Sequence, residues 1–277
     1  MNRYAIIVSS LLLLQACQPE PLVLKDVPQA ESKMVVSTIT DGDNTVGVFL
    51  TRSFAALEGF PEEDAEILSK YIVQKALVSI SGAGQDALLN ELYPGFYASD
   101  ALSLIPGETY AFVAYDNTSG QQITANTAVL EKAFIEELTV TEYPVGDEVF
   151  IQVNIRFQDL PGKNYYMVNV SKSDPNNDPS EVVNRDVHTQ LIEDDVDEAM
   201  IKEEFVAFLR KVVPGDTLRI SLAHISPEYY FYLDQVSGNF IGESLLSEPY
   251  NYPTNVNGGY GFFNLHEFDR RKVLFGK

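Results

Sequence analysis

Val149-Phe150-Ile151-Gln152-Val153-Asn154-Ile155-Arg156-Phe157-Gln158 is the stretch that sets the fold class. Val149, Ile151, Val153, Ile155 and Phe157 alternate with Phe150, Gln152, Asn154, Arg156 and Gln158. A period of two sends successive side chains to opposite faces, so this run reads as a half-buried antiparallel strand. Asn164 to Ser171 and Asp216 to His224 look similar. Toward the N-terminus, Met34 to Thr40 is β-rich, Asp41-Gly42-Asp43-Asn44 makes a turn, and Val46, Val48 and Leu50 alternate after it. More strands are expected at about 71–80, 84–90, 94–99, 108–116 and 121–129.

Pro-Gly punctuates these runs at Pro94-Gly95, Pro106-Gly107, Pro161-Gly162 and Pro214-Gly215. Proline presets the first corner of a turn and glycine takes the positive φ of the next. Short strands separated by such turns are the pattern of a β-sandwich. The fold class is therefore mainly β. The second half begins near Leu138, and the expected organisation is 33–136 as a β-sandwich and 137–277 as a second β-rich, sandwich-like domain with one or two short helices.

Three segments interrupt the strand rhythm. Pro61, then Glu62, Glu63 and Asp64, opens a short helix that continues through Ile67 and Leu68. Ser226-Pro227-Glu228 is a cap, a proline and an acid, so Tyr229 to Val236 is expected to be helical, with Gly238 ending it. In 196–211, Ile201, Phe205, Phe208 and Leu209 fit helical spacing with acids early and Arg210-Lys211 late. That charge order suits a helix dipole and favours a helix, although Phe205 to Val213 fits a strand as well.

The N-terminus carries an address. Arg3 supplies a positive charge, Ala5 to Leu14 is almost wholly apolar, and Leu14-Gln15-Ala16-Cys17 follows. That is the layout of a secretory signal with a lipoprotein cleavage site. Gln15 departs from the small residue usual two positions before the cysteine. The apolar run is shorter than the roughly 20 residues that span a bilayer, so it reads as a segment to be removed (1–16). Cys17, the chain's only cysteine, would become the lipidated N-terminus. Residues 18–32, with three prolines and no aromatics, read with Cys17 as a tether (17–32).

Composition narrows the function. Forty acids against 19 bases give a net charge of −21, which should repel phosphate backbones and argues against a nucleic-acid partner. Without a second cysteine the fold stands on packing, and it does so with no tryptophan, 15 tyrosines and 16 phenylalanines. There is no Walker loop, dinucleotide fingerprint, nucleophile elbow or zinc-protease motif, and the three histidines (His188, His224, His266) stand far apart in sequence. The expectation is a non-enzyme with no catalytic residues and no cofactor. Three acidic clusters are weak calcium candidates: Asp41 and Asp43; Asp174 and Asp178 with Glu181 nearby; and Glu193-Asp194-Asp195 with Asp197 and Glu198. None completes a calcium loop, so calcium is not expected to raise the melting temperature.

Aromatics concentrate near the C-terminus, among glycine, proline and asparagine. Tyr229, Tyr230, Tyr232, Tyr250, Tyr252, Tyr260 and Phe262 form a candidate binding surface, or else they fill the core beneath the loops.

Seven stretches, in order, carry a family resemblance: Val35 to Ser53, Pro94 to Tyr97, Ile105 to Tyr110, Pro161 to Tyr166, Pro214 to Leu218, Ile225 to Leu233 and Pro253 to Phe263. On these the chain resembles Bacteroidota outer-membrane lipoproteins known only as a domain of unknown function. The resemblance implies an N-terminal immunoglobulin- or transthyretin-like sandwich and a second β-rich domain. It also implies a gene near a TonB-dependent outer-membrane receptor, and it assigns no catalytic residues. Two functions are carried forward. One is an accessory or binding subunit, lipid-anchored at the outer membrane and partnered with a β-barrel receptor. The other is an independent cell-surface module that captures a glycan, peptide or metal complex.

Overall fold

The computed structural model describes residues 31–40, 45–53, 69–146, 148–173, 186–194, 199–209, 212–238 and 252–276. The fold is mainly β. Its first strands are β1 (Met34–Thr40), β2 (Val46–Arg52), β3 (Leu77–Gly82), β4 (Gln85–Tyr93), β5 (Phe96–Ser99), β6 (Thr109–Tyr115) and β7 (Gln122–Ala128). There follow β8 (Ile135–Val145), β9 (Glu148–Gln158), β10 (Tyr165–Lys172), β11 (Val187–Glu193), β12 (Met200–Ala207) and β13 (Thr217–Ile225). Helix α1 (Pro227–Gly238), β14 (Val256–Asn257), β15 (Tyr260–Phe262) and β16 (Phe268–Leu274) complete the described elements.

The first half is built on the order β7-β6-β3-β4-β5-β2-β1. β4 belongs to both sides, pairing Leu89 with Val78 of β3 and Asn90 with Ala98 of β5, and its register shifts between Glu91 and Tyr93. Such a bulge bends a strand, which lets one ribbon fold over itself. Val46, Val48 and Leu50 face Tyr110, Phe112 and Ala114 across the buried interior. The four Pro-Gly turns have positive φ at Gly95 (76°), Gly107 (84°), Gly162 (91°) and Gly215 (99°), as the sequence requires.

The chain returns to this half near its end. β14 pairs with β7, and β15, after a tight turn, runs parallel to β1. One short segment thus covers both outer strands of the ribbon, leaving fewer open backbone groups at its edges. Val256, Phe263 and Leu265 lie in the same core as Val36 and Phe112, so residues from the 137–277 segment help to fill the first sandwich.

The second half stacks a three-stranded sheet, β12-β9-β8, on a four-stranded one, β11-β10-β13-β16. Ile151, Val153, Ile155 and Phe157 of β9 point into its core, with Tyr166, Val168, Ile220 and Leu222 opposite. Phe157 meets Tyr166 edge-on at 4.9 Å. The alternation that opens the sequence reading is therefore the inner face of a sheet.

One expectation is corrected. The segment expected to be helical at 196–211 contains strand β12, paired with β9 from Met200↔Gln158 to Ala207↔Ile151. Its period of two puts Ile201, Glu203, Phe205 and Ala207 on one face, and Ile201, Phe205 and Ala207 join the core. Docking on a ready β9 edge outweighs the helix-like charge order. The price is Glu203, whose carboxyl is raised by burial. The Ser226 cap behaves as the sequence indicates: Tyr229 N donates to Ser226 Oγ at 3.2 Å at the start of α1. The signal, Cys17, the tether to residue 30 and the expected helix up to residue 68 lie outside the described residues.

Candidate functional site

The four-stranded sheet has one face on the core and one facing away from it. Register arranges the outer face in rows. Leu191, Met167, Ala223 and Phe268 lie side by side across the four strands. The next row reads Thr189, Asn169, Ser221 and Arg270. The third reads Val187, Ser171, Arg219 and Lys272. The face therefore grades, within three rows, from apolar through hydroxyl and amide to cationic.

Helix α1 packs over the apolar end. Tyr165 meets Tyr230 at 4.8 Å, and Tyr229 packs on Phe262 at 5.4 Å. Beyond the helix a cleft of about 260 Å³ remains between this face, α1 and the end of β1. Met167, Leu233 and Phe268 line one side, and Asn169, Ser221 and Arg219 the other. Thr38 and Ile39 of the first sandwich close it.

The connector between β15 and β16 fixes this wall. Asn264 N donates to Thr38 Oγ1 at 3.1 Å, and Asn264 Nδ2 donates to His266 Nδ1 at 2.9 Å. His266 is buried against Phe268, edge to face at 4.5 Å. Burial, reinforced by the positive charge of Arg270, pushes its imidazole down to about 3. The ring is therefore neutral at physiological pH, so the cations of this region are Arg219, Arg270 and Lys272.

The aromatic set read from the sequence divides. Tyr229, Tyr230, Tyr232 and Phe262 come together around α1, in the cluster that also holds Tyr165 and Met167. Phe262 is buried, Tyr229 is nearly so but still lines the cleft, and burial raises the Tyr229 phenol. The reason is that Phe262, the last residue of β15, turns toward α1, and Phe263, the residue after the strand, turns into the first core. Tyr252 and Tyr260 are 43% and 48% exposed, and Lys33 Nζ lies 5.4 Å from the Tyr260 ring. Tyr250 lies outside the described residues, as do Asp41, Asp43, Asp174 and Asp178. Of the third acidic cluster, Glu193 is ion-paired with Lys163 at 2.6 Å. No group of three metal-ligating side chains occurs among the described residues. His188, His224 and His266 sit on different elements, and burial lowers all three imidazoles.

Sequence reasoning did not single out Asn169, Ser171, Arg219 and Ser221. Their signal was present: in both strand runs the outward alternate positions turn polar over these residues. What a linear reading lacks is the pairing that sets them side by side.

Residues 21–271 match a family described as Domain of unknown function (DUF4249). The chain belongs to the DUF4249 family. The matched span runs from before β1 into β16 and takes in every residue of the cleft. No curated protein matches the chain. Among solved structures, the crystal structure of chicken CNTN1 FN1-FN3 domains is similar at 12% identity and a TM-score of 0.27, over 71% of this chain and 61% of that chain. This DUF4249 chain thus spans less than two thirds of that structure's chain.

Proposed function

We propose that this chain is a non-enzymatic lipoprotein of the outer membrane that serves as an accessory or binding subunit of a transport or assembly system. The observation that carries the reading is the apolar run Ala5 to Leu14, followed at once by Leu14-Gln15-Ala16-Cys17. Cys17 would carry the acyl chains, and the proline-rich stretch after it would hold the folded part away from the bilayer. The family match begins at residue 21, four positions after Cys17. No helix among the described residues is long and apolar enough to cross a membrane, which leaves attachment through lipid consistent with the sequence. The partner in this reading is a TonB-dependent β-barrel receptor, and the first sandwich is immunoglobulin- or transthyretin-like.

The second reading, an independent cell-surface binding module, is favoured by the cleft. Affinity purification of the tagged chain from gently solubilised outer membranes separates the two. A stoichiometric β-barrel in the eluate is the expected result. Recovery of the chain alone would replace the accessory role with the independent module. Cys17→Ala is expected to move the protein from the membrane fraction to the soluble one. Retention on membranes without that cysteine would overturn the anchor.

A further inference from the structure

We propose that the cleft on the outer face of the four-stranded sheet binds a small amphipathic carboxylate, with its apolar end on Met167, Leu233 and Phe268 and its carboxylate toward Arg219. This names a ligand class for the binding role proposed above and rests on that role only for its biological setting.

The charge pattern points to an anion. The chain carries 40 acids and 19 bases, yet no residue lining the cleft among those described is acidic. Arg219 stands directly opposite Lys272, and Arg270 is one row away. Of these three cations Arg219 lines the cleft itself, and the other two add positive potential beside it. Arg219 is only 9% exposed, so its charge works in a partly dehydrated setting where attraction is stronger than in water. It has interactions within the protein. A guanidinium carries five N–H donors in a fork that matches a carboxylate, so protein partners and a ligand can share it.

The rest of the cleft sets the remainder of the ligand. Ser171, Ser221 and Asn169 surround the cationic end with short donors and acceptors, suited to a carboxylate's second oxygen. One row along, Met167 and Phe268 present an apolar floor, and α1 adds Leu233 as a wall. A ligand lying along the strands would pass from charge to hydrocarbon within a few residues, which calls for a molecule with both. The cleft's volume of about 260 Å³ is below the roughly 300 Å³ at which pockets for drug-sized ligands begin, so that molecule is small. Thr38 and Ile39 place the site where the two halves meet, the usual position for such pockets.

The test uses the full chain in dodecyl maltoside with 3-phenylpropionate as probe, 3-phenylpropan-1-ol as its uncharged counterpart, and micelles alone as blank. Saturation-transfer NMR and calorimetry read binding. The acid is expected to saturate the protein and to bind about tenfold or more tightly than the alcohol, the discrimination of a charge-assisted pair. Arg219→Gln is expected to erase that preference. Asn169→Trp fills the cleft from its middle strand with Arg219 in place; it is expected to block both compounds without changing the circular dichroism spectrum, and it decides the matter if Arg219→Gln does not fold. Equal binding of acid and alcohol, no saturation by the acid below about 10 mM, or undiminished binding to Asn169→Trp would each overturn the proposal. None of these outcomes bears on the lipid anchor or on a barrel partner, which purification from membranes tests separately.

Discussion

Phe263 stacks on Phe112, with ring centroids 4.8 Å apart and planes 22° from parallel, and both rings are fully buried. Phe262, one residue earlier, turns the other way and meets Tyr232 at 5.3 Å. Consecutive residues at the end of β15 thus insert one aromatic into each of two cores and fasten them together. Phe263→Ala is expected to cost about 3–5 kcal/mol, the usual loss for a buried phenylalanine. Denaturant unfolding monitored by circular dichroism measures it. A loss below about 1 kcal/mol would mean that the C-terminal segment does not fill the first core.

Gly261 makes the same attachment through the backbone. Its φ is +93°, and a Cβ added there would lie 2.0 Å from the carbonyl oxygen of Val36. Gly261→Ala therefore combines left-handed strain, about 1–3 kcal/mol alone, with a backbone clash at the β1–β15 pairing. Gly107 has a similar φ of +84° but open space around it, so Gly107→Ala should bring the strain without the clash. The melting temperature is expected to drop more for Gly261→Ala than for Gly107→Ala. Equal drops would remove β15 from its place beside β1.

Strands were legible where their alternation was local. β9 and β10, the Pro-Gly turns and the cap of α1 could all be read along the chain because their causes lie within a few residues. β12 misled because its helix-like charges are a local signal, whereas its partner β9 is distant in sequence. The C-terminal aromatics could be counted but not sorted, since the sorting depends on which core each side chain at α1 and at the end of β15 enters. The cleft was hidden for the same reason: Asn169 faces Ser221, and Ser171 faces Arg219, only once β10 and β13 pair.

Asp116 makes a second long-range tie. Its buried carboxylate is ion-paired with Arg52 and accepts from Ser119 Oγ at 2.6 Å and Thr118 N at 2.8 Å. Burial pushes the carboxyl up, but the hydrogen bonds from Ser119 and Thr118 and the Arg52 guanidinium outweigh it and hold the group below its ordinary value. A carboxyl lowered on folding binds fewer protons in the native state. Its stabilisation is complete above the unfolded value of about 3.9 and is lost as pH falls through the folded one. Asp116→Asn is expected to be less stable than the parent at pH 7 and to lose less on acidification below about pH 4. Urea unfolding across that range checks it, and parallel acid limbs in the two proteins would show that Asp116 does not carry the effect.

His266 acts at milder acidity. Its Nδ1 accepts from Asn264, and burial, with the Arg270 charge, brings it down to about 3. The unfolded chain protonates this imidazole near pH 6.5, while the folded chain refuses the proton. Between those two values stability must fall as pH falls, by about 1.4 kcal/mol per pH unit from this group. His188 and His224, also lowered by burial, act in the same direction. An acidic chain loses self-repulsion on the same descent, which masks the slope in the parent alone. The informative quantity is therefore the difference from His266→Gln, which keeps an acceptor for Asn264 but does not titrate. The stability advantage of the parent over this variant is expected to shrink from pH 7.5 to pH 5 by about 1.4 kcal/mol for each unit below 6.5. A constant difference across that range would mean that His266 takes up its proton in the folded state and is not the sealed, neutral ring that supports the cleft wall.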